Sequence, residues 1–237
     1  MKYEFRRLFS LRSTWVVFAL VVLEAVGISW LIATTFSLGG TAQYIEYLTV
    51  VQAVFIPFLM ILIAIPAAQT FGHDYRHGTI RLSLSLFPKR ATFYVGRMAA
   101  LLLWVTVLLV ASVGSSHLTF MTQRSNVTYE ALKIVQYFPR IALYAFFMVI
   151  VVTSLSILFR SLPISLVIPL LQVTFLEFLI SGLASLKFEN VPDYMPFLNL
   201  GEWASNVDAS VNLLFPVMIY SGLLFIGAVT KFLKQDA

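Results

Sequence analysis

The sequence predicts an all-α integral membrane protein, and three observations carry that prediction. Charged residues make up only 11% of the 237-residue chain and hydrophobic residues 59%, with a mean hydropathy of +0.89. A soluble domain carries roughly 25% charged residues; a chain this poor in charge cannot solvate its own surface, so lipid supplies much of its solvent. Six apolar stretches are each long enough to cross a hydrocarbon core about 30 Å thick at ~1.5 Å of rise per residue. Lysine and arginine are also shared unevenly between the connections, as a fixed orientation in a bilayer requires.

The predicted spans are 14–36, 47–71, 98–120, 141–159, 162–183 and 213–233, within a single transmembrane domain covering 1–237. The first follows Lys2, Arg6, Arg7 and Arg12, as a secretory leader would. It outruns the ~7–15-residue apolar core of a leader, and no small-x-small site follows, so it is expected to be retained. With the N-terminus inside, only Arg124, Lys133, Arg140 and Lys187 of the 16 basic residues fall in outer connections. Glu46, Glu130, Glu189, Asp193, Glu202 and Asp208 fall outside. This positive-inside bias places both termini in the cytoplasm, with the chain multi-pass in the cell membrane. The net charge of +5 then reflects topology and anionic inner-leaflet lipid rather than a nucleic-acid groove.

Residues 1–13 precede the first span as a short basic segment. Phe5, Leu8 and Phe9 share one helical face, while Arg6 and Arg7 lie elsewhere on the cylinder. That pattern predicts an amphipathic helix lying in the membrane interface.

Several chemistries are excluded. The chain has no cysteine, so disulfides, thiolate metal sites and cysteine nucleophiles are absent. No Gly-x-x-x-x-Gly-Lys-Ser/Thr occurs, so the chain holds no P-loop and cannot hydrolyse ATP alone. His73 and His77 stand four apart but lack the intervening glutamate of a zincin helix. Ser115, Ser116 and His117 are neighbours on one helix end, whereas an intramembrane serine protease needs its serine and histidine on different helices. The reading is a non-catalytic chain with no metal or cofactor of its own.

Two acids lie within spans. Glu24 is near the middle of the first and Glu177 in the outer part of the fifth. A charge at the bilayer centre costs ~2.5–3.5 kcal/mol on insertion scales, so each must face protein or water or be neutral. Gln52, Gln69 and Gln172 are candidate helpers. Two roles stay open: a path for a polar or cationic substrate lined by Glu24, Gln52, Gln172 and Glu177, or interhelical hydrogen bonds made by neutral acids. A six-span channel or ion-coupled carrier would use Glu24 and Glu177 as its proton or cation sites.

The most informative connection is 72–97, between spans two and three. Ile80, Leu84 and Phe87 recur at helical spacing. The same run also alternates at period two, so periodicity leaves helix and strand open, and the membrane-proximal context favours a helix. Gly78-Thr79 is placed to open a short interfacial helix with Thr79 as its N-cap, and Pro88 to stop it. The segment reads Asp74, Arg76, Gly78-Thr79, Arg81, Pro88-Lys89-Arg90, then Gly96-Arg97. In that order, after span two of a six-span chain, it resembles the signature region of permease subunits of type-2 ATP-binding-cassette exporters. The likeness is closest to small bacterial permeases that export drugs or peptide antibiotics. Asp74 stands where that family more often has Glu.

The resemblance implies that two permease chains pair, as homodimer or heterodimer, and that each docks on a separate ATPase subunit, which supplies ATP and Mg. Docking would run through Asp74, Arg76, Gly78, Thr79, Arg81, Pro88 and Arg90, helped by the N-terminal helix. It also implies short re-entrant helices in the outer connection around 190–203, whose Pro, Phe, Tyr and Trp suit the interface.

Overall fold

The computed structural model describes residues 6, 9, 12–35, 44–80, 90–123, 131–184, 192–206 and 209–234, with the backbone alone for 44–55, 131–135, 184 and 192. Its helices are α1 (Arg12–Thr35), α2 (Tyr44–Arg76), α3 (Arg90–Gln123) and α4 (Ala131–Phe159). The fifth span is broken into α5 (Leu162–Leu171), a π-helical turn (Gln172–Leu176) and α6 (Glu177–Ala184). A short α7 (Pro196–Ser205) follows, then a 3₁₀ turn (Val211–Leu214) that leads into α8 (Phe215–Lys234). No strand occurs among the described residues. Six stretches are long and apolar enough to cross a membrane: Arg12–Thr35, Ile56–Arg76, Arg90–Gln123, Gln136–Phe159, Leu162–Leu183 and Val211–Lys234. By length and composition the chain is a multi-pass membrane protein.

The expected connection 72–97 is corrected. Helix α2 continues to Arg76 and α3 begins at Arg90, so Gly72, Asp74, Arg76, Arg90, Gly96 and Arg97 are all helical. Hydropathy marks where a helix leaves the hydrocarbon; caps decide where it ends. The cap here is Gly78, at φ +68, the left-handed conformation that closes helices at C′. His77 N–H reaches His73 O at 3.1 Å and Gly78 N–H reaches Tyr75 O at 3.4 Å. Gly78 therefore closes α2. Of the helix expected over 80–87, only Ile80 lies within the described residues, and it is helical.

Helix α4 is the centre of the bundle, packed on α2, α8, α5 and α7. Its inner faces carry small and β-branched residues, among them Ala145, Val149, Val152 and Ser156, all buried. Small residues let helix backbones approach where lipid gives no hydrophobic drive, and Ser156 Oγ reaches Ala68 O of α2 at 3.5 Å. Close approach also fixes the start of α5: a Cβ on Gly72 would sit 3.1 Å from Leu162 Cα. Spans four and five form the expected tight hairpin, linked through Arg160 (φ 51) and Ser161.

Helix α1 lies along α3. Trp15 and Phe18 meet Trp104 at 6.2 and 6.1 Å between ring centroids, and farther along Ser29 Oγ meets Ser116 Oγ at 2.6 Å. The contact numbers rise together, so the two helices run parallel, as spans one and three must in an alternating bundle. Of the expected interfacial helix, Phe5, Arg7 and Leu8 lie outside the described residues. Arg6 is exposed, and Phe9 packs edge-on against Trp104 at 5.0 Å while its carbonyl accepts from Trp15 Nε1 at 2.9 Å.

Candidate functional site

Polar groups concentrate at the two ends of the bundle. At the basic end, Asp74 on the last turns of α2 and Arg97 on the second turn of α3 form an ion pair, Nη1 to Oδ2, at 2.5 Å. Both are almost fully buried, at 3% and 2% exposure, so the pair is internal rather than a surface bridge. Arg97 Nη1 also donates to Thr70 O at 2.9 Å, and its guanidinium lies 4.2 Å over the Phe93 ring and 5.6 Å from that of Phe71. A buried arginine stays ionised, so this cage of carboxylate, carbonyl and ring faces is what makes its burial tolerable. Thr79, just beyond the Gly78 bend, donates its hydroxyl to Asp74 Oδ1 at 3.2 Å. The end of α2, the bend and the start of α3 are thus one braced unit.

That geometry sorts the residues expected to meet a partner. Arg76, Gly78 and Thr79 are exposed, but Asp74 faces inward and is covered by Arg97. Asp74, expected among the docking residues, has its carboxylate buried against Arg97 and bonded by the Thr79 hydroxyl. Arg90 is half-buried and donates from Nη1 to Leu233 O of α8 at 3.2 Å. Arg81 and Pro88 lie outside the described residues.

Two further basic residues at this end, Arg90 and Lys231, share one task. Arg90 meets the last carbonyls of α8, and Lys231 of α8 meets Leu158 O near the end of α4 at 2.5 Å. The last four carbonyls of a helix lack internal donors and carry the negative end of its dipole, so a neighbouring cation satisfies both needs.

At the opposite end, α7 is clamped by charges borrowed from two spans. Its N-cap, Met195, has no side-chain acceptor to offer, and Pro196 supplies no N–H. Glu177 fills the vacancy: Oε2 accepts from Phe197 N at 2.7 Å and Leu198 N at 2.8 Å. Its Oε1 accepts from Gln172 Nε2 at 2.8 Å, and Gln172 Oε1 accepts from Tyr220 Oη of α8 at 2.8 Å. At the other end of α7, Arg140 of α4 donates to Trp203 O at 2.6 Å and to Asn206 O, with its guanidinium 4.5 Å from the centre of the Trp203 ring. An anion at the N-terminus and a cation at the C-terminus both complement the helix dipole.

The π-helical turn makes this clamp possible. In an α-helix, residues five apart point roughly 140° away from each other. The bond from Glu177 N–H to Gln172 O, five residues back, widens the turn and brings both side chains to one side.

Of the four residues expected to line a substrate path, Gln172 and Glu177 are brought together, but by each other and by α7. Glu177 is buried, with both oxygens occupied. The side chain of Gln52 lies outside the description. Glu24 sits apart from them on α1; both of its carboxylate oxygens are buried without a hydrogen-bond partner. Gln69 is engaged with Ser13, whose Oγ donates to its Oε1 at 3.2 Å. Among the described residues no group of three or more His, Asp or Glu is placed to hold a metal ion.

Arg97 and Arg140 are the polar residues whose roles sequence reasoning did not reach. Arg97 was legible only as the basic end of a loop motif, and Arg140 only as an outer-connection charge; the ion-pair and carbonyl partners described above lie 23 or more positions away. No family model matches the chain, and no curated protein sequence is significantly similar to it.

Proposed function

We propose that the chain is the permease subunit of an ATP-binding-cassette exporter: a non-catalytic membrane component that pairs with a second permease chain and is driven by a separate ATPase subunit in the cytoplasmic membrane. The observation that carries the reading is the segment from Asp74 to Arg97, whose motif order resembles that family and whose described ends are locked to each other. A push on an exposed group at the end of α2, such as Arg76, is passed to α3 through the Asp74–Arg97 pair rather than lost in a slack loop. Energy from the ATPase then shifts the populations of two bundle states that differ in their contacts. Drugs, antimicrobial peptides and other amphipathic compounds are the substrate classes that go with the resemblance.

The test is assembly of the full chain with its candidate ATPase after Arg76→Glu, a change at an exposed position that leaves the internal pair intact. Loss of co-purification and of ATPase stimulation is expected. Survival of both refutes the coupling role.

A second reading has one observation in its favour. The unpartnered Glu24 carboxylate suits an ion-coupled carrier or channel with no ATPase. It predicts flux that follows a proton or cation gradient in vesicles without ATP and is lost in Glu24→Gln. Glu177 does not support that reading, because its oxygens are already spent on α7 and Gln172.

A further inference from the structure

Helices α3, α4 and α8 do not close on one another along their whole length. Between them lies a groove of about 550 Å³. Its walls are apolar: Val95 and Leu102 of α3, Phe146 and Ile150 of α4, Met218 and Phe225 of α8. Among the described residues, only two that line it carry side-chain hydroxyls, and neither is offered to the groove. Ser221 Oγ turns to Met218 O of its own helix at 3.4 Å, and the Tyr94 hydroxyl is buried. None of the described lining residues is charged, so an occupant with a charge in its buried part would go unsolvated there.

The position of the groove limits where an occupant comes from. It opens within three membrane spans. From Val95 to Leu102 it covers about 10 Å of helix rise, less than the roughly 15 Å of hydrocarbon in one leaflet. One turn before Tyr94, at the end of the groove nearer the basic end of the bundle, stands Arg90. Its Nη1 serves Leu233 O, and a guanidinium has further N–H donors to give. Lys234, the residue after Leu233 on the last turn of α8, is exposed at the same end of the bundle. An apolar slot about one leaflet deep, with two cations at its headgroup end, is complementary in shape and charge to one kind of molecule.

We propose that this groove is a binding site for an anionic phospholipid, with one acyl chain between α3, α4 and α8 and the phosphate at Arg90 and Lys234. The site is independent of whether the chain is an exporter permease. A lipid seated there fills the gap between α8 and its two neighbours.

The test is native mass spectrometry of the full chain in mild detergent, with dioleoyl phosphatidylglycerol or dioleoyl phosphatidylcholine added. One phosphatidylglycerol is expected to remain bound, at least tenfold more tightly than phosphatidylcholine. Arg90→Gln with Lys234→Gln should abolish that preference, since each basic residue near an anionic lipid surface is worth several-fold in binding. Gly222→Phe should remove bound lipid of both kinds; a side chain there meets nothing within 4 Å and projects into open space. Equal retention of the two lipids by the wild type, or full retention by a folded Gly222→Phe chain, overturns the proposal. A shift from dimer to monomer in Gly222→Phe with unchanged lipid would show that a second copy occupies the groove, and overturns it too. If Gly222→Phe does not fold, Phe225→Trp replaces it as a fluorescent reporter. Bromine on the phosphatidylglycerol chains should quench it more than on phosphatidylcholine, and equal quenching overturns the assignment.

Discussion

Replacing Asp74 with alanine tests the brace between spans two and three most directly. The carboxylate is 3% exposed and sits 2.5 Å from Arg97, which is 2% exposed. Removing one partner of a buried pair costs about 3–5 kcal/mol, because the other charge is left in a poor solvent. Arg97 is not wholly abandoned: it keeps Thr70 O at 2.9 Å and the Phe93 face at 4.2 Å. The expected loss therefore lies near the lower bound, about 3 kcal/mol, or roughly a hundredfold in the unfolding equilibrium. Arg97→Met alone takes from the carboxylate its closest partner, leaving Thr79 at 3.2 Å and His73 at 4.0 Å among its neighbours, and a similar loss is expected.

The decisive variant is the double one, Asp74→Ala with Arg97→Met. With both charges gone, the methionine fills the space between Phe71 and Phe93, and most of the second loss disappears. Reversible unfolding of the purified chain in mixed micelles, followed by circular dichroism, measures all four corners of the cycle. A coupling energy of at least about 2 kcal/mol is expected. Additive losses, or a single-variant loss under about 1 kcal/mol, would mean the pair is wetter and weaker than its burial implies, and the brace argument would fail.

Glu177→Gln keeps the shape of the side chain but weakens the charged cap on α7. A loss of about 1–2 kcal/mol is expected, with faster amide hydrogen exchange at Phe197 and Leu198 as the local readout; unchanged exchange at both would exclude the cap. Arg140→Met removes the donor to Trp203 O and Asn206 O and should cost about 1.5–3 kcal/mol by thermal unfolding, as charge-assisted bonds do. Gly72→Val drives a side chain into Leu162, whose Cα is 3.1 Å from the position of the added Cβ. Destabilisation of about 1–3 kcal/mol is expected by thermal unfolding. The closest atoms, Leu162 Cα and Cβ, remain in any side-chain truncation short of glycine, and a loss within about 0.5 kcal/mol would refute the close approach.

Why some of this was legible in the sequence and some was not follows from particular residues. The break between spans four and five was readable because two adjacent apolar runs are separated only by Arg160 and Ser161, and no other arrangement keeps both in lipid. Gly78 was recognised as a special backbone position, but its side of the bend was not, since a glycine before an apolar helical run and a glycine after a long helix look alike without their hydrogen bonds. The acid Glu177 was flagged by its cost in a membrane. Its partners are the backbone N–H groups of Phe197 and Leu198, which every residue but proline carries and which leave no mark on composition.

The sequence by itself determined the all-helical class, the six apolar stretches and their approximate limits. Lipid compatibility is a property of composition summed over about 20 residues, and it survives any change in how the helices pack. Only the tertiary structure decided that Asp74 turns inward to Arg97, that a π-helical turn aims Glu177 at α7, and that Arg140 holds the other end of that helix. Each depends on the rotation of a helix about its own axis and on a partner many residues away. A turn of 100° per residue makes such a placement invisible until the helices are set against one another.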